Sequence, residues 1–155
     1  MKVKDIMISP VQSCGPETSL GAVAMMMWDS DCGALPVVNY EGTVVGMITD
    51  RDICMAAATK NRPLSEITVF ETITGQVYAC APGDDIHDAM KTMAKHQVRR
   101  LPVIHDTGML AGILSVNDIV LHAGETKWTR APAISYEDVA HTFKAIDAHR
   151  ILVGL

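Results

Sequence analysis

A chain of 155 residues is long enough to bury one proper core or two very small ones. With 48% apolar and 20% charged residues it is no disordered polymer, and a net charge of -5 argues against a broad cationic footprint for nucleic acid or an anionic membrane. No apolar run approaches the roughly 20 residues of a membrane span, and the leading MKVKDIMISPVQS lacks the apolar core of a signal peptide, so a cytoplasmic protein is expected.

In chain order, the first predicted element is a short strand, VQSC at 11–14. A proline and polar residues then open a helix on which Leu20, Val23, Ala24 and Met27 recur at helical spacing. Two apolar runs follow, ALPVV and TVVGMI, around the turn-like NYEG. A second helix runs from about Arg51 to Ala58, and the polar TKNRPLSEIT of 59–68 connects onward. The same series then returns. Strand VYAC (77–80) precedes a helix bearing Ile86, Ala89, Met90 and Met93, then RLPVI and MLAGIL around HDTG, then a helix from Asn117 to Ala123. Beyond it, S-Y-E-D is a possible cap for an amphipathic helix with Val139, Phe143, Ile146 and Arg150 at 4-3-4 steps.

The return is an internal duplication. Gly46 to Gly112 is a step of 112 − 46 = 66 residues, and the same step carries Cys14 onto Cys80, Pro16 onto Pro82 and Asp52-Ile53 onto Asp118-Ile119. It also carries Leu35-Pro36-Val37 onto Leu101-Pro102-Val103. The organisation is therefore a first unit over 1–58, a linker over 59–68, a second unit over 69–124 and an extension over 125–155. Each unit reads β-α-β-β-α, which is marginal alone at about 55 residues. The fold class is α/β: two such units expected to pack sheet to sheet about a pseudo-twofold axis, plus a C-terminal helix.

Each unit places a hydroxyl and a carboxylate at the seam between its last strand and last helix: Thr49 and Asp52 in GMITDRD, Ser115 and Asp118 in GILSVND. Two readings fit. One is a capping box, in which the hydroxyl caps the helix and the residue three further on reaches back, although Asp is shorter than the favoured Glu or Gln. The other is a ligand site. A helix N-terminus attracts an anion, the hydroxyl can donate to a phosphate, and the carboxylate can accept from the paired hydroxyls of a ribose.

Other chemistry is sparse. Cys14, Cys32, Cys54 and Cys80 form no C-x-x-C pair and read as small buried hydrophobes. The histidines lack the spacing that seats a metal on one helix face, and no nucleophile–base pair or glycine-rich phosphate loop is recognisable. No catalytic residue, metal or required cofactor is expected. The Met-Met-Met-Trp run at 25–28 suits core packing or an interface between units.

The two seams, the LPVV and RLPVI strands before them and the leading DIMISP together resemble the tandem cystathionine β-synthase (CBS) domain pair, or Bateman module, over about residues 3–124. The resemblance implies a flat disc with two clefts that bind AMP, ADP, ATP or related adenosine ligands. It assigns Asp52 and Asp118 to the ribose hydroxyls, Thr49 and Ser115 to sugar or phosphate, and Val11 and Val77 to the flanks of the adenine. Basic residues just before the L-P-V strand would clamp phosphate. The second copy has Arg99-Arg100 there and the first has Gly33-Ala34, so unequal sites are expected, the fuller one built from Ser115, Asn117, Asp118 and Arg99 or Arg100. Arg51 is a further possible phosphate contact, with a solvated side chain equally open.

The functional expectation is a non-enzymatic regulatory module that binds an adenine nucleotide between its units and signals through an effector protein or its own oligomer. The alternative is a structural or interaction module with empty clefts. A homodimer through helical faces is implied by the resemblance. The C-terminal helix either docks on its own units or serves as a dimer arm, the second being favoured.

Overall fold

The computed structural model describes residues 1–125 and 131–148. Five α-helices and four strands are present among them: α1 (Leu20–Asp29), β1 (Ala34–Val38), β2 (Val44–Thr49), α2 (Asp50–Thr59), α3 (Ile86–His96), β3 (Arg100–Ile104), β4 (Leu110–Ser115), α4 (Val116–His122) and α5 (Tyr136–Asp147). β1 pairs with β2 antiparallel, Ala34 opposite Thr49 and Val37 opposite Gly46, and β3 joins β4 in a second two-stranded sheet.

The expected first strand of each copy contracts to one bridge residue, Cys14 beside Val37 and Cys80 beside Val103, both parallel. The cause is proline. Cys14 donates to the Pro36 carbonyl and Val38 donates to that of Cys14, at 3.0 and 2.8 Å. The next rung would need an N–H on Pro36, which has none. Cys80 and Pro102 repeat the pattern, at 3.2 Å.

The chain divides into two compact units that cross the sequence repeats. The first-repeat unit comprises Val11–Val77 with Asp106–Leu110, and the second-repeat unit comprises Met1–Pro10 with Tyr78–His105 and the described residues from Ala111 onward. The leading segment thus packs with the second copy, and the stretch after the linker packs with the first. The second-repeat core joins Val3 and Ile6 to Ile86, Met93, Leu101, Leu114 and Ile119. The first-repeat core joins Ile67 and Val69 to Leu20, Val23, Leu35, Ile48 and Ile53. Ile67, placed in the linker by its polar neighbours, is fully buried.

The two exchanges use the same bonds one step apart. Val3 donates to Asp84 and Lys4 to Pro82, both at 3.0 Å, as Val69 donates to Thr18 and Phe70 to Pro16, both at 2.9 Å. Each exchanged segment passes close to the glycine of a seam. A β-carbon on Gly46 would lie 2.6 Å from Ile73 Cδ1, and one on Gly112 would lie 2.5 Å from the Ile8 carbonyl oxygen. These glycines admit the crossing chain.

Helix α5 corrects an expectation. Its apolar stripe is engaged within its own unit, where Ile146 joins the second-repeat core, as does Ile134 just before the helix, and Val139 and Phe143 pack against it. A helix so buried is a covering element rather than a projecting dimer arm. Arg150, the last residue of the expected stripe, lies outside the described residues. The Met run also splits, with Met27 buried while Met25 and Trp28 are exposed. Of the cysteines, Cys14 and Cys80 are buried as expected, but Cys32 and Cys54 are exposed.

Candidate functional site

At the first seam, Thr49 is the N-cap of α2. Its N–H and its hydroxyl both donate to Asp52 Oδ2, at 2.9 and 2.8 Å, and the Asp52 N–H donates back to Thr49 Oγ1 at 3.2 Å. Ser115 and Asp118 repeat this at the start of α4, at 2.7, 2.6 and 3.3 Å. Asp is therefore long enough to close the box. The geometry also changes the hydroxyl's role. Its hydrogen is donated to the carboxylate, so in this state it offers a phosphate no donor.

The boxes engage Oδ2 only. Among the described residues, neither Asp52 Oδ1 nor Asp118 Oδ1 accepts a protein hydrogen bond, and a carboxylate has room for about four in all. One oxygen fixes the helix start and the other has no protein donor among the described residues, on a side chain that is half-buried at Asp52 and buried at Asp118. A third box of the same form stands at Ser135 and Asp138, at 2.8, 2.7 and 3.1 Å, where α5 begins outside the repeat. Capping geometry alone therefore marks no site.

What distinguishes the seams is their surroundings. The Asp50 N–H donates to the Gly33 carbonyl at 3.1 Å, and the Val116 N–H donates to that of Arg99 at 3.0 Å. The residues preceding β1 and β3 are thus tied to the seam helices. Val11, half-buried three residues before the Cys14 bridge, belongs to the first-repeat unit. Val77 also falls in that unit, so it is not grouped with Ser115 and Asp118.

The two arginines part ways. Arg99 donates to Asp147 Oδ1 of α5 at 2.8 Å, in an ion pair about half exposed. This partner lies 48 residues away in sequence and pulls Arg99 toward the covering helix. The Arg100 side chain, half-buried at the start of β3, has no hydrogen bond or ion pair among the described residues. Arg51 is exposed, its backbone held by Asp50 at 2.8 Å. Asn117 is exposed on α4.

Sequence reasoning missed one pair beside this region. Tyr78 stacks on His96 with ring centroids 3.8 Å apart and planes at 17°. One step earlier, at Gln12 and Ser30, a 2.6 Å hydrogen bond takes its place. The tyrosine in VYAC was the only available signal. The buried thiols carry no nucleophilic chemistry: burial pushes Cys14 up to about 11 and Cys80 up to about 12, so both stay protonated at neutral pH. Among the described residues no cluster of three or more His, Cys, Asp or Glu is placed to hold a metal ion, and no helix is long and apolar enough to cross a membrane.

A duplicated β-hairpin and helix unit with a capped carboxylate at each seam defines a module of paired domains. The CBS domain model matches residues 3–59 and 66–125, and the chain belongs to the CBS domain family. It is 32% identical over 143 residues to the CBS domain-containing protein YhcV of Bacillus subtilis (strain 168), covering 88% of this chain and 97% of that one. Among solved structures it is similar to Hypoxic Response Protein I with two coordinated zinc ions, at 33% identity and a TM-score of 0.72 over 79% of this chain and 98% of that one. It is also similar to the CBS domain pair of protein MJ0100 in complex with 5-methylthioadenosine and S-adenosyl-L-methionine. That match has 26% identity and a TM-score of 0.72, covering 78% of this chain and 94% of that one.

Proposed function

We propose that this chain is a non-enzymatic sensor that binds an adenine nucleotide (AMP, ADP or ATP) at its seams and passes occupancy on through an effector protein or its own oligomer. The observation that carries this reading is the Asp118 Oδ1 that no protein donor engages, together with Arg100, whose side chain has no partner among the described residues, on the strand that enters beside Ser115. A carboxylate oxygen accepts from a sugar hydroxyl, and a guanidinium donates two bonds to a phosphate. The adenosine-bearing ligands of the MJ0100 domain pair support the same ligand class. Gly33 and Ala34 leave the first seam without a cation at its strand entrance, where Arg51, exposed on the first turn of α2, is the basic residue on offer, so the second fills first. Thr49, Asp52, Arg51, Val11, Val77 and Asn117 complete the proposed contacts.

Dimerisation through helical faces is the companion proposal. Met25 and Trp28 on α1 and Met55 on α2 are exposed on the first-repeat unit, an apolar set that a second copy would cover. The competing structural reading, with seams that only cap, draws on the third box at Ser135, which has no ligand to serve.

Calorimetry on the full chain with AMP, ADP, ATP and S-adenosyl-L-methionine decides between them. Saturable heat is expected. Arg100→Gln should weaken it about 10- to 100-fold, the equivalent of one charge-assisted bond of roughly 1.5–3 kcal/mol. If no ligand at millimolar concentration raises the melting temperature, the sensor reading fails, because a ligand of the native state must stabilise it by mass action.

A further inference from the structure

The two exchanged segments end differently. In the second-repeat unit the segment continues along β4: Ile8 and Ile113 exchange N–H···O bonds of 2.9 and 3.1 Å, and the Ser9 hydroxyl donates to the Ala111 carbonyl at 2.8 Å. One step later, Thr74 forms no such bridge to β2 among the described residues. The chain turns instead at Gly75, where φ is 74°. Beside this turn the first-repeat unit holds a cavity of about 960 Å³, walled by Pro16, Val38, Val45 and Ile73 with Tyr40 and Phe70 at its rim.

This cavity is separate from the seam. The register pairs Ala34 with Thr49 and Val38 with Val44, so Val45 lies about 13 Å along β2 from Thr49. We propose that it is a second binding site, for an aromatic small molecule that is uncharged or cationic. Its volume is that of a small-molecule site, and such sites join apolar walls to a few polar groups. Glu17 is the one ionisable carboxylate or base in the lining, so a phosphate or carboxylate ligand would meet like charge. Asn39 Oδ1 already accepts from the N–H groups of Glu41 and Thr43, at 3.0 and 2.9 Å. That leaves its amide hydrogens as the donors on offer. Exposed Tyr40 and Phe70 supply ring faces for stacking or for a cation.

The test uses N-phenyl-1-naphthylamine, a neutral fluorophore, on the full chain, with 1-naphthylmethylammonium and 1-naphthoate as competitors of matched shape. Saturable one-to-one binding is expected, with the cation displacing it at least tenfold better than the anion. Glu17→Lys should reverse that order. Val45→Trp should abolish binding, and Phe70→Ala, a change at an exposed position that folding tolerates, should weaken it about fivefold. AMP and Arg100→Gln should leave it unchanged, which keeps this site's fate separate from that of the seam. Unsaturable binding, indifference to both cavity variants, or displacement by AMP would overturn the proposal.

Discussion

The two repeat units share a backbone and differ in what that backbone presents. The exchange bonds, the seam boxes and the parallel Cys bridges recur one step apart, nearly bond for bond. The differences gather at side chains and at one edge. Arg99-Arg100 stand where the first copy has Gly33-Ala34, a ring stack replaces a hydrogen bond, and Ile8 closes an edge that Thr74 leaves open. Only the second-repeat unit is covered by α5. The duplication kept the exchange bonds and the seam boxes alike in both copies and let the side chains around them diverge.

The largest expected effect breaks the comparison at α5. Ile146 is almost fully buried in the second-repeat core, so Ile146→Ala should cost about 2–5 kcal/mol. Urea unfolding checks this, and a loss under about 1 kcal/mol would mean that the helix is dispensable. A smaller effect sharpens the comparison at the glycines. Gly112→Ala sets a methyl against the backbone carbonyl of Ile8, a residue held to Ile113 by one accepted and one donated bond, whereas Gly46→Ala meets the end of the Ile73 side chain, which can swing aside. Overpacking costs roughly 1–3 kcal/mol, with Gly112→Ala at the upper end and Gly46→Ala at the lower. Equal losses would contradict this account.

Next comes pH. Both buried thiols have their folded pKa raised from 9.0, Cys14 to about 11 and Cys80 to about 12, chiefly by burial. A raised pKa contributes stability that is complete below the unfolded value and lost as pH rises through the folded one. Alkaline titration should therefore lower the melting temperature from about pH 9 upward, at about 1.4 kcal/mol per thiol per pH unit. Cys14→Ala should remove its share of the decline between about pH 9 and 11, and Cys80→Ala its share between about pH 9 and 12.

Much of this was legible from one period. The step of 66 residues located both hairpins, both seams and the carboxylates that close them. A repeat states which residues are equivalent, however, and says nothing of which copy each one packs against. The exchange of 1–10 was therefore hidden, as was the burial of Ile67 among polar neighbours. Pro36 and Pro102 were visible in the sequence, yet their truncation of the first strands depends on which rung they face. The Arg99–Asp147 pair was illegible because its partners lie 48 residues apart and meet only once α5 docks. The cavity depends on a turn at Gly75, a backbone choice that the repeat itself would have argued against.

The smallest effect separates cap from site. Thr49→Ala, Ser115→Ala and Ser135→Ala each remove one box, and each should cost about 1 kcal/mol of stability. In the absence of ligand the three should look alike. With saturating AMP they should diverge. Losing the hydroxyl removes one of the two donors to Oδ2 of Asp52 or Asp118, the backbone N–H remaining, and loosens the carboxylate proposed to hold the sugar, so the ligand-induced rise in melting temperature should shrink for Ser115→Ala, and less for Thr49→Ala. For Ser135→Ala it should match the parent, because Asp138 faces His87 at 3.6 Å and no proposed ligand. Three identical responses would mean that the seams do no more than begin helices.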